Sequence, residues 1–479
     1  MNNTTKFSGK VRLESDLIGT KEIPIEALYG VQSLRGFENF KISGRLMNDY
    51  PNFIKGMALT KKGAAIANYK QNNLSEELYK AIVQACDEIY EGKHHNFFCS
   101  DMIQGGAGTT VNMNANEVIA NRALEILGYD YGQYEFCSPN DHINLSQSTN
   151  DAYPTAFHLG LYLENKVLEE SLSSLILSLE NKATEFAQVI KMGRTQLQDA
   201  VPMTLGQTFK AFASGLKKER VNLNNAAEEF LCINMGATAI GTGICSEPGY
   251  SKLCTQALKE ITGWNIVLAD DLVEATSDTS SMVAYSAALK RIALKVIKIC
   301  NDLRLMGSGP RCGIHELFLP EMQPGSSIMP GKVNPVIPEV VNQVCYKVIG
   351  NDLTVTLASE NAQLELNVME PVLVYSLFES INILTNGFNT LRTLCIDGIK
   401  ADVANCERQV KNSIGIVTAL NPVIGYKNST KIAKQAMETG KGIYDLVLEN
   451  DILSKEDLDT ILRPENMVEP IKLDIKPKH

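Results

Sequence analysis

The chain has 479 residues, 44% hydrophobic and 21% charged, with 45 basic against 55 acidic side chains and a formal net charge of -10. That length exceeds one compact core and suits two or three domains. The acidic balance, with no cluster of Lys and Arg, argues against a nucleic-acid or membrane-surface partner.

In chain order, the opening MNNTTKFSGK lacks the apolar core of a signal peptide. The first 140 residues read as shorter helices joined by loops rich in Gly and Asn. Within them, QGGAGTTVNMNANEV (104–118) is a glycine-rich turn entering a helical pattern. It lacks the Gly-Lys-Ser/Thr ending and the clear preceding strand of a phosphate loop. LSQSTNDAYP (145–154) precedes a long helix expected over 155–187, where Leu168, Leu172, Leu175, Leu179 and Phe186 recur at bundle spacing. GRTQLQDAVPMTLGQ (193–207) precedes another helical stretch. Each segment carries small neutral donors: Thr109 and Thr110; Ser148, Thr149 and Asn150; Thr195 and Gln196. Such residues before helices commonly serve only as caps. Their recurrence in three segments is what points to binding.

A long uncharged stretch, Leu231 to Ser246, carries Asn, Gly and Thr and is too short to span a bilayer. Met282, Tyr285, Leu289, Ile292, Val296, Ile299, Leu303 and Met306 then alternate spacings of three and four. That is the seam of a helix packed nearly parallel to others, and Leu294 and Ile297 widen the stripe. The loop QPGSSIMPGKVNP (323–335) holds three prolines and two glycines, so no regular helix or strand runs through it. It also carries Ser326, Ser327, Lys332 and Asn334. Asn334 is expected to cap a helix whose first residue is Pro335, with Pro338 still in the first turn. Lys332 and Asn334 would then stand where free N–H groups and the helix dipole favour an anion, and Lys332 suits a carboxylate.

Residues 338–365 and 371–398 look helical and strongly apolar. Beyond about residue 398 the chain is more charged; SKEDLDTIL opens with Ser454 as a cap ahead of Asp457, and RPENMVEP breaks that pattern. The expected organisation is all-α, with an N-terminal domain over 1–141, a central long-helix domain over 142–398 and a small helical domain over 399–479. Eleven scattered cysteines without a CxxC pair suggest reduced thiols in the cytoplasm. Six histidines without ligand spacing make a zinc site improbable, and no metal or cofactor is expected.

GSSIMPGKVNP (325–335) resembles, without a gap, the signature of the aspartase/fumarase superfamily. GAGTTVNMNANEV, STNDAYPT and GRTQLQDAVP are similar to three further segments of that family, in the family's order. The likeness runs from ESDLIGTKEIP near the start to TALNPVIGY in the last domain. ALYGVQSLRGFENF, NMGATAIGTGI and PEVVNQVCYKVIGND resemble the branch that removes ammonia from L-aspartate to give fumarate, rather than the fumarases. The resemblance implies three helical domains. It also implies a homotetramer with a twenty-helix core and active sites each shared by three subunits.

Removing ammonia from L-aspartate takes a weakly acidic proton from the carbon beside the side-chain carboxylate. Charge must spread into that carboxylate as an aci-carboxylate, so the site needs aimed donors and little water. The resemblance assigns Thr109, Ser148, Thr149 and Ser327 to that carboxylate, and Thr195, Lys332 and Asn334 to the other. It assigns Asn150 and Gln196 to the amine and Ser326 to proton abstraction. A serine base requires a stabilised oxyanion, which a turn of backbone N–H groups can supply. The loop is expected to be mobile over an empty site and to close over the dianion. Gln196 stands where many relatives, fumarases among them, carry His, and Gln cannot shuttle protons. Glu339 matches the carboxylate that pairs with that His in fumarases, and is expected here as a first-turn helix acid. Fumarate hydratase is the runner-up. A catalytically silent structural homologue is the alternative from another class.

Overall fold

The computed structural model describes residues 7–470, 472 and 474–477. A hairpin of β1 (Val11–Asp16) and β2 (Gly19–Pro24) precedes helices α1 (Val31–Asn39), α2 (Pro51–Lys70), α3 (Glu76–Tyr90), α4 (Thr109–Leu127) and α5 (Thr149–Glu185). A second hairpin, β3 (Ile190–Thr195) with β4 (Gln198–Thr204), leads into α6 (Leu205–Glu228). The short strand β5 (Cys232–Ile233), helix α7 (Tyr250–Thr262) and strand β6 (Val267–Leu268) follow, with β5 and β6 paired in parallel. Then come α8 (Glu274–Ser277), α9 (Ser280–Met306), β7 (Leu317–Phe318), α10 (Val336–Glu360) and α11 (Glu370–Leu394). Strand β8 (Lys400–Ala401) pairs with β7, and α12 (Val403–Asn412), α13 (Val417–Thr439), α14 (Ile443–Glu449), α15 (Lys455–Ile461) and α16 (Pro464–Met467) complete the run. Helices dominate, as an all-α chain requires.

The chain divides into two compact units. The first holds the described residues through Glu170, with Arg220–Ala293 and Tyr346–Thr385. One of its cores gathers Leu59, Ala152, Leu159, Ile233, Met235, Tyr250 and Leu258. A nearby aromatic group stacks Phe53 on Phe378 at 5.3 Å and sets Tyr153 edge-on to Phe53 at 5.9 Å. The second unit holds Ser171–Glu219, Leu294–Cys345 and the described residues from Asn386. Its C-terminal helices close over Val410, Leu420, Ile432, Leu446, Leu458 and Ile461, together with Ile190 and Met192 of β3.

The seam expected over α9 is buried throughout, no member exceeding 7% exposure. Each such Leu or Ile contributes about 1.5–3 kcal/mol relative to an exposed side chain. Leu168, Leu172, Leu175, Leu179 and Phe186 of α5 are buried likewise. Leu294 departs from expectation: it is 52% exposed and lies off the packed seam. All eleven cysteines are free thiols, and no described helix is long and apolar enough to cross a membrane.

Several helix boundaries differ from the sequence reading. Helix α5 begins at Thr149, not 155, and keeps Pro154 inside it. Proline has no N–H, so the carbonyl of Asn150 loses its helical partner. Asn234 Nδ2 supplies the missing donor at 3.0 Å. Helix α10 begins at Val336 and ends at Glu360, and α11 ends at Leu394. Asn334 does not cap α10 with its side chain: Asn334 Nδ2 donates instead to the Gly325 carbonyl at 2.9 Å. The segment 193–207 is largely hairpin rather than loop. Ser454 caps α15 as read, accepting the Asp457 N–H at 3.0 Å.

Candidate active site

Thr109, Ser148, Thr149 and Asn150 belong to the first unit. They stand at the N-terminal ends of α4 and α5. The start of α5 is built around Asp151, which is fully buried. Its carboxylate accepts the N–H of Ser148 at 2.9 Å, Thr238 at 2.9 Å and Gly236 at 3.0 Å. The bond from Ser148 is the returning half of a capping box. The other two tie NMGATAIGTGI against the start of the helix. Burial pushes the Asp151 carboxyl up to about 6, against the pull of these N–H groups.

Asn150 Nδ2 donates to the Ala239 carbonyl at 2.8 Å. That fixes the amide and turns Oδ1 the other way, an acceptor suited to an ammonium group. Thr149 Oγ1 lies 3.3 Å from Asn112 Nδ2, which links the first turns of α4 and α5. The Ser148 hydroxyl accepts the Asn150 N–H at 3.3 Å. Thr109 Oγ1 donates to the Gly106 carbonyl at 2.8 Å, so it must turn from that carbonyl to serve a ligand. The glycine turn before α4 has a steric cause. A Cβ on Gly108, at φ +88°, would fall 2.5 Å from the Tyr153 ring.

Thr195, Gln196, Ser326, Ser327, Lys332 and Asn334 belong to the second unit. The last four lie in one loop, closed by a bridge between Pro324 and Val333. The Gly325 N–H donates to the Lys332 carbonyl at 2.6 Å. With the bond from Asn334, this draws the two ends of the loop together. A Cβ on Gly325 would meet the Lys332 carbonyl oxygen at 2.7 Å and the Asn334 nitrogen at 2.8 Å. Ser326 is the centre of the turn. Its Oγ accepts the N–H of Met329 at 3.0 Å and of Ile328 at 3.2 Å. Ser327 and Lys332 are exposed.

Thr195 and Gln196 are presented at the tip of the β3–β4 hairpin, where Gln196 and Leu197 take φ of 53° and 63°. Beneath the tip, Arg194 donates to Glu316 Oε1 and to Gln409 Oε1, both at 2.6 Å. Lys191 stands 3.2 Å from the other Glu316 oxygen, and Glu316 is 0% exposed. Glu316→Ala should therefore lower unfolding stability by about 3–5 kcal/mol, because the buried Lys191 and the part-buried Arg194 lose their counter-charge. Denaturant unfolding checks this, and a loss below 1 kcal/mol would contradict it. Glu339 lies in the first turn of α10 as expected, 3.7 Å from Arg304.

The motif reading gave no role to Asp151, Glu117, Lys61 or Glu316. Asp151 was visible as the fourth residue of an S-x-x-D capping box. Glu117 receives the N–H of Gly30 and Gln32 at 2.8 Å and of Ser33 at 3.0 Å; burial pushes it up to about 7 against those donors. No local signal marks it or Glu316. Among the described residues, no group of three or more potential metal ligands occurs.

Helix starts rich in hydroxyl and amide donors, a lysine-bearing loop and a serine oxygen fed by two N–H groups suit carboxylate binding and proton abstraction. Comparison with known proteins agrees with that class. The family described as Lyase matches residues 19–350, and that described as Fumarase C C-terminus matches residues 416–469. The chain is 55% identical over 460 residues to an aspartate ammonia-lyase of Pseudomonas aeruginosa, covering 96% of this chain and 97% of that one. Its fold is similar to a Brucella melitensis structure described as fumarate lyase:delta crystallin bound to cobalt. That match has a TM-score of 0.93 and 49% identity, and covers 96% of this chain and all of that one. It is also similar to a class II fumarase from Schistosoma mansoni, with a TM-score of 0.88 and 34% identity over 96% of this chain and 99% of that one. The chain belongs to the lyase family of the aspartase/fumarase superfamily.

Proposed function

We propose that the protein is an aspartate ammonia-lyase, interconverting L-aspartate with fumarate and ammonia. The observation that carries the chemistry is the Ser326 oxygen, held by the N–H groups of Ile328 and Met329. An elimination of this kind needs a base, and two donors on a serine oxygen favour its anionic form. Ser326 takes the proton from the carbon next to the side-chain carboxylate. Thr109, Ser148, Thr149 and Ser327 donate to that carboxylate as it gains aci-carboxylate charge. Thr195, Lys332 and Asn334 bind the second carboxylate. The Oδ1 of Asn150 and the amide of Gln196 receive the ammonium group, which leaves as neutral ammonia.

Adding L-aspartate to the purified protein should generate the ultraviolet absorbance of fumarate. A folded protein that produces none would defeat the proposal.

The same reading includes three domains, divided near residues 141 and 398, a cytoplasmic location and a homotetramer with shared sites. On α10, Tyr346 is 56%, Leu353 60% and Leu357 52% exposed, and Gly350 falls on the same stripe. Spacings of four, three and four make this a second packing seam, and an exposed apolar seam calls for a partner helix. If sites are shared, refolding inactive Ser326→Ala protein together with inactive Thr195→Ala protein should return part of the activity. Each parent refolded alone should stay inactive. An active, monodisperse monomer in light scattering would contradict the assembly.

A further inference from the structure

Lys61 lies on α2 and is 1% exposed. Its Nζ is held by three amide oxygens: Asn112 Oδ1 at 2.7 Å, Gln147 Oε1 at 2.8 Å and Asn144 Oδ1 at 3.1 Å. The titratable groups facing it are Asp151 on α5, Cys86 on α3 and Cys254 on α7. Helix α4 offers it only the neutral Asn112.

A lysine ammonium only donates. It therefore forces Asn112 to present Oδ1 and to send Nδ2 the other way. That nitrogen reaches Thr149 Oγ1 at 3.3 Å and Asn144 Oδ1 at 3.1 Å. Thr149 thus accepts from Asn112, and its own hydroxyl hydrogen is left to donate outward. The arrangement also places a buried amine two hydrogen bonds behind the Thr149 hydroxyl. Three acceptor oxygens call for three N–H donors, which only the ammonium form has. Burial opposes that charge and pushes the amine down to about 7. An anion bound nearby would shift the balance back towards the charged form.

We propose that Lys61 is a positioning residue for the carboxylate site, acting through Asn112 to make Thr149 a hydrogen-bond donor and completing its own charge when a dicarboxylate binds. The proposal rests on the reading of Thr149 as a carboxylate donor. It adds a residue that no motif marks and a proton coupled to binding.

The test is calorimetric titration with succinate at pH 8, in two buffers with different heats of protonation. The wild-type protein should take up a fraction of a proton on binding. Lys61→Met, which keeps the unbranched stem, should take up none and bind succinate about 10–100-fold more weakly, as loss of a charged hydrogen-bonding group predicts. Because Lys61 acts through Thr149, adding Thr149→Val to Lys61→Met should cost little more than either change alone. Lys61→Gln serves the same comparison if the Met variant does not assemble. Absence of proton uptake in the wild type, or fully additive losses in the double variant, would overturn the proposal. Succinate binding needs no turnover. Proton-linked binding without fumarate from L-aspartate would defeat the proposed reaction and leave Lys61 its role; turnover without proton uptake would do the reverse.

Discussion

Ser326→Ala should lower deamination of L-aspartate by about 10²–10⁴-fold, the scale lost with an essential general base. Succinate affinity should stay within a few-fold, because other side chains are proposed to hold the carboxylates. Folding should also be little affected. The N–H groups of Ile328 and Met329 that now serve the Ser326 oxygen belong to exposed residues, so water can replace it. Ser327→Ala is the matched control: it sits one residue on in the same loop and removes a proposed carboxylate donor, not the proposed base. Its loss should be nearer tenfold, the order of one hydrogen bond. Single-turnover fumarate formation by the two variants separates the roles. A well-folded Ser326→Ala protein within tenfold of wild type, or a Ser327→Ala protein that is the more damaged of the two, would move the base elsewhere.

The contrast between those adjacent serines also shows what the sequence makes legible. The long helices were readable because apolar residues repeat at the period of a packed seam, and every seam residue of α9 is buried. The start of α5 was not, because Pro154 argues locally against helix and its cost is offset by Asn234, whose amide meets a carbonyl 84 residues earlier. The β3–β4 hairpin was hidden for a related reason. Its two turn residues, Gln196 and Leu197, take left-handed backbone angles without the Asn-Gly or Asp-Gly pair that normally announces such a turn. Hydrogen bonds of the strands and the Arg194–Glu316 anchor, 122 residues apart, hold the conformation instead. The same rule covers the site. Residues in contiguous motifs, such as Ser326 and Thr149, could be named from resemblance. Lys61 and Glu316 sit in unremarkable stretches and acquire meaning only from partners that folding brings to them.

L-malate should be dehydrated about 10²–10⁴-fold more slowly than L-aspartate is deaminated, the range that general acid catalysis typically supplies. The two substrates share both carboxylates and the same acidic carbon, so the proposed base and carboxylate donors would treat them alike. They differ at the leaving group. An ammonium group departs as ammonia with no proton delivered, whereas a hydroxyl needs one as its bond to carbon breaks. Gln196, proposed to meet the leaving group, is an amide and has no proton to give at neutral pH. Asn150 strengthens the preference from the other side. Its Nδ2 is committed to the Ala239 carbonyl, so in the proposed role it would meet the leaving group as an acceptor. An ammonium group satisfies that acceptor with a charged donor; a hydroxyl has a single neutral hydrogen to offer, and the remaining acceptor capacity goes unpaired. The same balance predicts that fumarate is aminated when ammonium is abundant and hydrated poorly when it is absent. Initial rates from equal L-aspartate and L-malate, followed by fumarate absorbance, decide the matter. A faster rate with L-malate would restore the hydratase reading and would require a proton donor other than Gln196 at the leaving group.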